Sequence, residues 1–209
     1  MKILTQLPPL PKENDIMESA RPNPMTVMLM AMRRSTKVAH LGGPGPSPQE
    51  VDALLRIAAR VPDHGKLSPW RFIVWEGDAR KRAGEALADV VLQSDPSAGP
   101  ERLGVEKMRF QRAPVVIGVI SRAAEHPKIP RQEQLLSAGA VCYSLLLAAY
   151  AAGYAGCWLT EWVAYDPAAR AALGVAPEEE VAGIIYIGTA RENADERARI
   201  YPAKLITRP

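Results

Sequence analysis

Cysteine is nearly absent from this 209-residue chain: Cys142 and Cys157 are the only two, both in apolar surroundings and without C-x-x-C spacing. That pattern favours buried free thiols in a reducing compartment over a disulfide staple or a zinc site. Histidine is scarce as well, and His40, His64 and His126 are too scattered to indicate a cluster, so no metal is expected. An excess of one charge is also missing. With 26 Lys and Arg against 23 Asp and Glu, the net +3 suits a small anionic ligand but not a nucleic-acid partner, which would call for a dense basic stripe. Residues 1–24 are proline-rich, carry Lys2, Lys12, Glu13, Asp15 and Glu18, and lack the apolar core of a signal peptide. There is no G-x-x-x-x-G-K-[ST], no G-x-S-x-G and no H-E-x-x-H. Gly42-Gly43-Pro44-Gly45 does not follow a predicted strand, so it is not a dinucleotide fingerprint. Hydrolase and Walker-type readings lose most of their support.

One long run without charge is present, Gln134 to Thr160, which by length could span a bilayer. Its content argues otherwise. It holds Ala, Gly, Ser, Tyr and Cys as much as Leu, is interrupted by Gly153 and Gly156, and has no obvious basic flank, so a buried helix followed by a strand is expected. The chain is therefore assigned to the cytoplasm with no membrane partner.

With 47% hydrophobic and 23% charged residues, the composition fits one globular domain with a sizeable core, here placed over residues 26–209 after an N-terminal arm over 1–25. Residues 26–33 compose a short helix with two arginines and a serine at its exit. Gly42 to Pro46 reads as a loop. Ser47-Pro48-Gln49-Glu50 is a capping box with proline at the first helical position, and Val51, Leu54, Leu55 and Ala58 follow at helical spacing. Residues 70–76 read as a strand and 79–93 as a helix. After a break at 95–100 comes a more polar helix over 101–111. The unbroken apolar run 115–120 reads as a strand covered on both faces. A helix over 131–152 ends at Gly153, a strand covers 156–160, a short helix begins at Asp166-Pro167 and stops at Gly174, and a last strand covers 181–187 before a polar tail. Helices and apolar strands interleave, which implies one sheet with helices on both faces.

Two segments concentrate polar chemistry. Between the second helix and the first strand, residues 59–72 pack turn formers around Arg60, Asp63, His64 and Lys66. Pro62 ends the helix, Gly65 permits a conformation closed to other residues, and Pro69 sets the entry to Trp70. The segment reads as a ligand loop, with an ordinary polar connection as the alternative. Arg33-Arg34-Ser35 suits a phosphate, since guanidinium forks and a hydroxyl are phosphate donors; a solvated basic helix end explains the same residues. Trp158 reads equally as core and as ligand wall, and Lys66 as a solvent-facing lysine.

Taken in order and spacing, Arg33-Arg34-Ser35, the Ser-Pro-x-Glu helix, residues 62–72 and Gly156-Cys157-Trp158-Leu159-Thr160 resemble the nitroreductase family of flavin enzymes, in particular its small bacterial subgroup with a Pro-Asp-His loop. The resemblance covers about residues 26–188. It implies an α+β fold, a three-layer sandwich with a mostly antiparallel sheet, in an intertwined homodimer. It further implies one FMN per subunit in clefts at the subunit interface, and reduction of nitroaromatics, quinones or similar acceptors by NADH or NADPH in a ping-pong sequence. By position, Arg33, Arg34 and Ser35 would hold the FMN phosphate and ribityl chain. Arg60, Pro62, Asp63 and His64 would reach the flavin held mainly by the other subunit, and Trp158, Leu159 and Thr160 would line it. The resemblance assigns no catalytic side chain; His64 or Lys66 is the candidate to stabilise the reduced flavin. Many relatives have small polar residues where this loop has Asp63-His64-Gly65-Lys66. The usual basic pair near the C-terminus has only Arg191, Lys204 and Arg208 as candidates here. An FMN carrier or sensor, reductive dehalogenation and oxidative flavin breakdown are the alternative functions.

Overall fold

The structure, a computed structural model, describes all residues except Met1, Lys2, Leu10, Glu13, Ser19 and Tyr201, and leaves aside the side chains of Pro202 and Lys204. In chain order the main elements are α1 (Pro24–Met32), β1 (Leu41–Gly42), α2 (Pro48–Ala58), β2 (Trp70–Glu76), α3 (Asp78–Ser94) and α4 (Pro100–Met108). They continue with β3 (Val115–Ser121), α5 (Arg131–Ala151), β4 (Ala155–Leu159), α6 (Pro167–Ala172) and β5 (Glu180–Ala190).

Local chemistry sets several of these boundaries. The Ser47 hydroxyl accepts the Glu50 amide at 3.3 Å while Glu50 accepts the Ser47 amide at 2.9 Å, so α2 starts with both halves of a capping box. Asp166 caps α6 through the Ala169 amide at 2.8 Å. Gly153 and Gly174, at φ 84° and 80°, stop α5 and α6 in the left-handed region that glycine enters without strain.

All strand pairs are antiparallel, in the order β1-β5-β3-β2, with β4 also paired to β5. Every residue of β3 is buried, as expected of a strand covered on both faces. Alternation along the strands divides the core in two. Val115, Ile117, Val119, Ile185 and Ile187 face α2 and α5, whereas Val116, Ile184 and Tyr186 face α3, α6 and Phe110. This is the three-layer α+β sandwich. The helix that holds most of the long charge-free run is α5, which packs Ala138, Val141, Cys142, Leu145 and Leu146 into the first of these cores. Cys142 and Cys157 are buried and unbridged, and burial pushes their thiols up to about 12 and about 11.

Two differences from the sequence expectation concern pairing and helix geometry. Gly42, read as the start of a loop, instead forms β1 with Leu41, the two pairing with Thr189 and Ala190, so β5 runs three residues beyond the expected end at 187. A two-residue strand carries no periodicity, and only its partner reveals it. The polar helix expected over 101–111 ends at Met108 and tightens into a 3₁₀ turn, Arg109–Arg112, whose arginines turn toward the end of β4.

Candidate functional site

The segment after α1 is fixed by its backbone. The Thr36 amide donates to the Gly156 carbonyl at 3.1 Å and to the Tyr150 hydroxyl at 3.2 Å, and that hydroxyl donates to the same carbonyl at 2.7 Å. The basic segment is thereby pinned to the start of β4, where Gly156 is needed because a Cβ would meet the Tyr186 carbonyl oxygen at 2.8 Å. Arg33 leaves α1 in an extended conformation and lays its guanidinium over the Tyr143 ring, 5.2 Å from the centroid. Its Nε is buried without a hydrogen-bond partner. An orphaned guanidinium donor is costly unless a ligand completes it.

Arg34 and Ser35 line a cavity of about 150 Å³ together with Thr36, Lys37, His40 and residues 192–195. Arg34 Nε donates to the Asp195 carbonyl at 2.9 Å, and His40 Nδ1 lies 2.7 Å from Glu192. Lys37 is a basic residue of this site that the sequence reading passed over; extending Arg33-Arg34-Ser35 by two positions would have found it. Among the C-terminal candidates, Arg191 lies with its Nε close above Gly42, where a Cβ would come within 2.2 Å of it. Lys204 falls outside the described side chains.

The loop after α2 is held by Asp63. Its carboxylate accepts the Leu67 amide at 3.2 Å and the Ser68 amide at 2.9 Å, which folds the loop through three left-handed residues, Gly65, Lys66 and Ser68 at φ 72°, 55° and 47°, with Leu67 between the last two at φ −74°. Asp63 is thus committed to the loop itself. His64 Nδ1 lies 2.8 Å from Glu133 in the first turn of α5, with the imidazole largely exposed, and the Pro62 carbonyl accepts the Ser137 hydroxyl at 2.6 Å. Arg60 stands apart from these. It lines a separate apolar groove of about 210 Å³ between the end of α2 and the N-terminal arm, beside Ile57, Pro8, Pro9, Pro11 and Met17. Within one subunit, therefore, Arg34 and Ser35 share a cavity, Pro62 and His64 sit over the start of α5, and Arg60 belongs to a third location.

Trp158, Leu159 and Thr160 do come together, on one side of an open cleft of about 440 Å³ with Glu161 and Ala182. Trp158 is not core: 39% of it is exposed, and the Nε1 edge of its indole lies against Gly183 of β5, where a Cβ would meet Nε1 at 2.1 Å.

Glu161, the first charge after the long neutral run, is a second functional candidate that sequence reasoning missed. Its backbone is at φ 58° and ψ −176°, a region nearly reserved for glycine and costing about 1–3 kcal/mol for other residues. Its carboxylate is held by Arg109 Nη1 at 2.8 Å and by Arg112 at 3.1 and 2.5 Å. Burial would raise this carboxyl, but the hydrogen bonds and charges of Arg112 and Arg109 outweigh it and hold the group below the usual carboxylate range.

Comparison with known proteins follows the same pattern. A model of the nitroreductase family matches residues 30–189. The Escherichia coli K12 protein named "Putative NAD(P)H nitroreductase YdjA" is 33% identical over 168 residues, covering 79% of this chain and 88% of that protein. A Haemophilus influenzae protein named "Putative NAD(P)H nitroreductase" is 35% identical over 178 residues, covering 84% and 94%. Among solved structures, a nitroreductase-like family protein from Bacillus cereus superposes with a TM-score of 0.75 at 20% identity over 93% of this chain and 99% of that one. The FMN-dependent nitroreductase NfnB from Mycobacterium smegmatis, in complex with NADPH, gives 0.69 at 18% identity over 88% and 98%. A family match across most of the chain, two relatives above 30% identity and the shared sandwich place this chain in the nitroreductase family.

Proposed function

We propose that this protein is an FMN-dependent oxidoreductase that takes electrons from NADH or NADPH and passes them to nitroaromatic, quinone or similar small acceptors in two alternating half-reactions. It works in the cytoplasm as a homodimer with its cofactor clefts between the subunits. The observation that carries the reading is Arg33, whose buried Nε has no partner and which directly precedes Arg34 and Ser35, themselves lining a cavity with Lys37. That donor set fits the phosphate of FMN, which accepts forked, charge-assisted hydrogen bonds.

In this reading Arg33, Arg34, Ser35 and Lys37 hold the phosphate. Trp158, packed against Gly183 and partly exposed, offers an aromatic wall for the ring system, with Leu159 and Thr160 beside it. When bound, FMN supplies the two-electron chemistry, and the chain supplies binding, orientation and electrostatics. Thr160 is held in place by the Tyr165 hydroxyl, which donates to its Oγ1 at 3.1 Å. The His64 loop is fixed by its own Asp63 and by Glu133 and projects from the subunit as a polar wall available to a second copy.

The dimer rests on surface chemistry. α1 is apolar all round and buries none of its residues within one subunit: Met25, Val27, Met28, Met30 and Met32 are each at least half exposed. The neighbouring helix α5 exposes Leu136 and Tyr143. A helix apolar on every face is expected to be buried, and a second copy of the chain supplies the burial.

The test is the colour of the purified protein. Yellow absorbance that bleaches with NADH or NADPH and returns with a quinone or nitroaromatic is the expected result. Bound flavin inert to both nucleotides would overturn the reading in favour of a carrier.

A further inference from the structure

Glu161 combines two features that rarely coincide. It adopts a backbone conformation suited to glycine, and its side chain is tied into an ionic cluster built around a fully buried carboxylate. That carboxylate, Glu106, receives Arg109 Nε at 2.5 Å and Nη2 at 2.8 Å, is also paired with Arg102, and accepts the Trp162 indole N–H at 3.2 Å. Arg109 reaches on to Glu161, and Arg112 bridges Glu161 to the Tyr186 hydroxyl of β5 at 2.9 Å. Two consecutive residues at the exit of β4, Glu161 and Trp162, are therefore anchored by side chains to the same cluster. A glycine at 161 would need no anchor to keep this backbone. Glu161 also lines the cleft with Trp158, Leu159 and Thr160, so the strained residue adjoins the surface assigned to the cofactor.

We propose that Arg109 and Arg112, backed by Glu106, form a clamp that holds Glu161 in its strained conformation and thereby fixes the backbone of Leu159, Thr160 and Glu161 facing the cofactor cleft. Glu161 is a positioning residue: its carboxylate is consumed by the two arginines, and what it delivers to the cleft is the orientation of its peptide groups. The inference rests on the reading of the cleft as the FMN site. Substitutions at 161 that differ only in their tolerance of positive φ separate the backbone effect from the loss of the carboxylate.

The experiment compares Glu161→Ala and Glu161→Gly by titration of FMN onto apoprotein, followed through flavin fluorescence and the visible absorption band, with thermal melts of the apoproteins alongside. Both variants lose the carboxylate and should lower the melting temperature. Glu161→Ala should raise the Kd for FMN about ten-fold and shift the visible band, because strain is then left without its clamp, whereas Glu161→Gly should stay within about three-fold of wild type. Arg112→Gln should weaken FMN binding on its own and have no further effect when added to Glu161→Gly, which keeps the test open should the alanine variant fold poorly. Equal FMN affinity in wild type, alanine and glycine variants would overturn the clamp while leaving the cofactor site intact, and equal weakening in both variants would assign the effect to the carboxylate and overturn it too. A wild-type protein that binds no FMN would overturn the functional reading and the clamp together.

Discussion

At the scale of single residues, the most informative atom is the Nε of Arg33, buried and unpartnered at the exit of α1. A charge-assisted hydrogen bond contributes about 1.5–3 kcal/mol, so Arg33→Ala should raise the Kd for FMN by about one to two orders of magnitude, checked by equilibrium dialysis of the flavin. His64 is a different case. Its ring is mostly exposed and paired with Glu133, an arrangement that holds a loop in place at little energetic gain. His64→Ala should therefore cost less than about 1 kcal/mol in a urea titration while altering the rate of flavin reduction in stopped-flow measurements. Unchanged flavin kinetics would return His64 to an ordinary surface role. Trp158 shows why residue type alone was ambiguous: a tryptophan among apolar neighbours reads equally as core and as ligand wall. Gly183, on a strand far away in sequence, leaves the room that lets the indole pack against the sheet while staying partly exposed.

At the scale of elements, one half-buried ion pair ties the edge strand β2 to the turn between α6 and β5. Arg71 donates to both oxygens of Glu179 at 2.7 and 2.6 Å and to the Gly174 carbonyl at 2.7 Å, while Glu179 also accepts the Ala176 amide at 2.9 Å. The Arg71 hydrogen bonds, set against a smaller opposing effect of burial, lower the Glu179 carboxyl from the usual 4.5 to about 2. A carboxyl depressed in the folded state stabilises the fold fully above its unfolded value, and that stability is lost as pH falls from about 4.5 toward about 2. The wild type should therefore lose stability across this window more steeply than Glu179→Gln, as measured by chemical denaturation at successive pH values. Parallel profiles would show that the pair contributes nothing to acid stability. The capping box of α2 was legible in the sequence because all its partners lie within four residues. The Arg71–Glu179 link was not, because its partners are joined only when β2 and β5 take their places on either side of β3.

At the scale of the whole molecule, the bare apolar surface of α1 beside Leu136 and Tyr143 of α5 makes oligomeric state the decisive measurement. Light scattering should report a mass of two chains. Met28→Glu, which alters a side chain exposed in the single subunit, should yield a folded monomer with weakened FMN binding. A wild-type monomer that retains FMN tightly would contradict a cleft between subunits. The order of helices and strands, the two-sided burial of β3, the ends of α5 and α6 at Gly153 and Gly174, and the basic segment after α1 were all determined by the sequence itself, because periodicity, capping and charge act between near neighbours in the chain. Tertiary structure alone decided that Arg60 joins the N-terminal arm, that Leu41 and Gly42 extend the sheet, and that Arg109 and Arg112 close on Glu161. Those outcomes depend on contacts between residues far apart in the chain, whose partners are fixed only when helices and strands pack into layers.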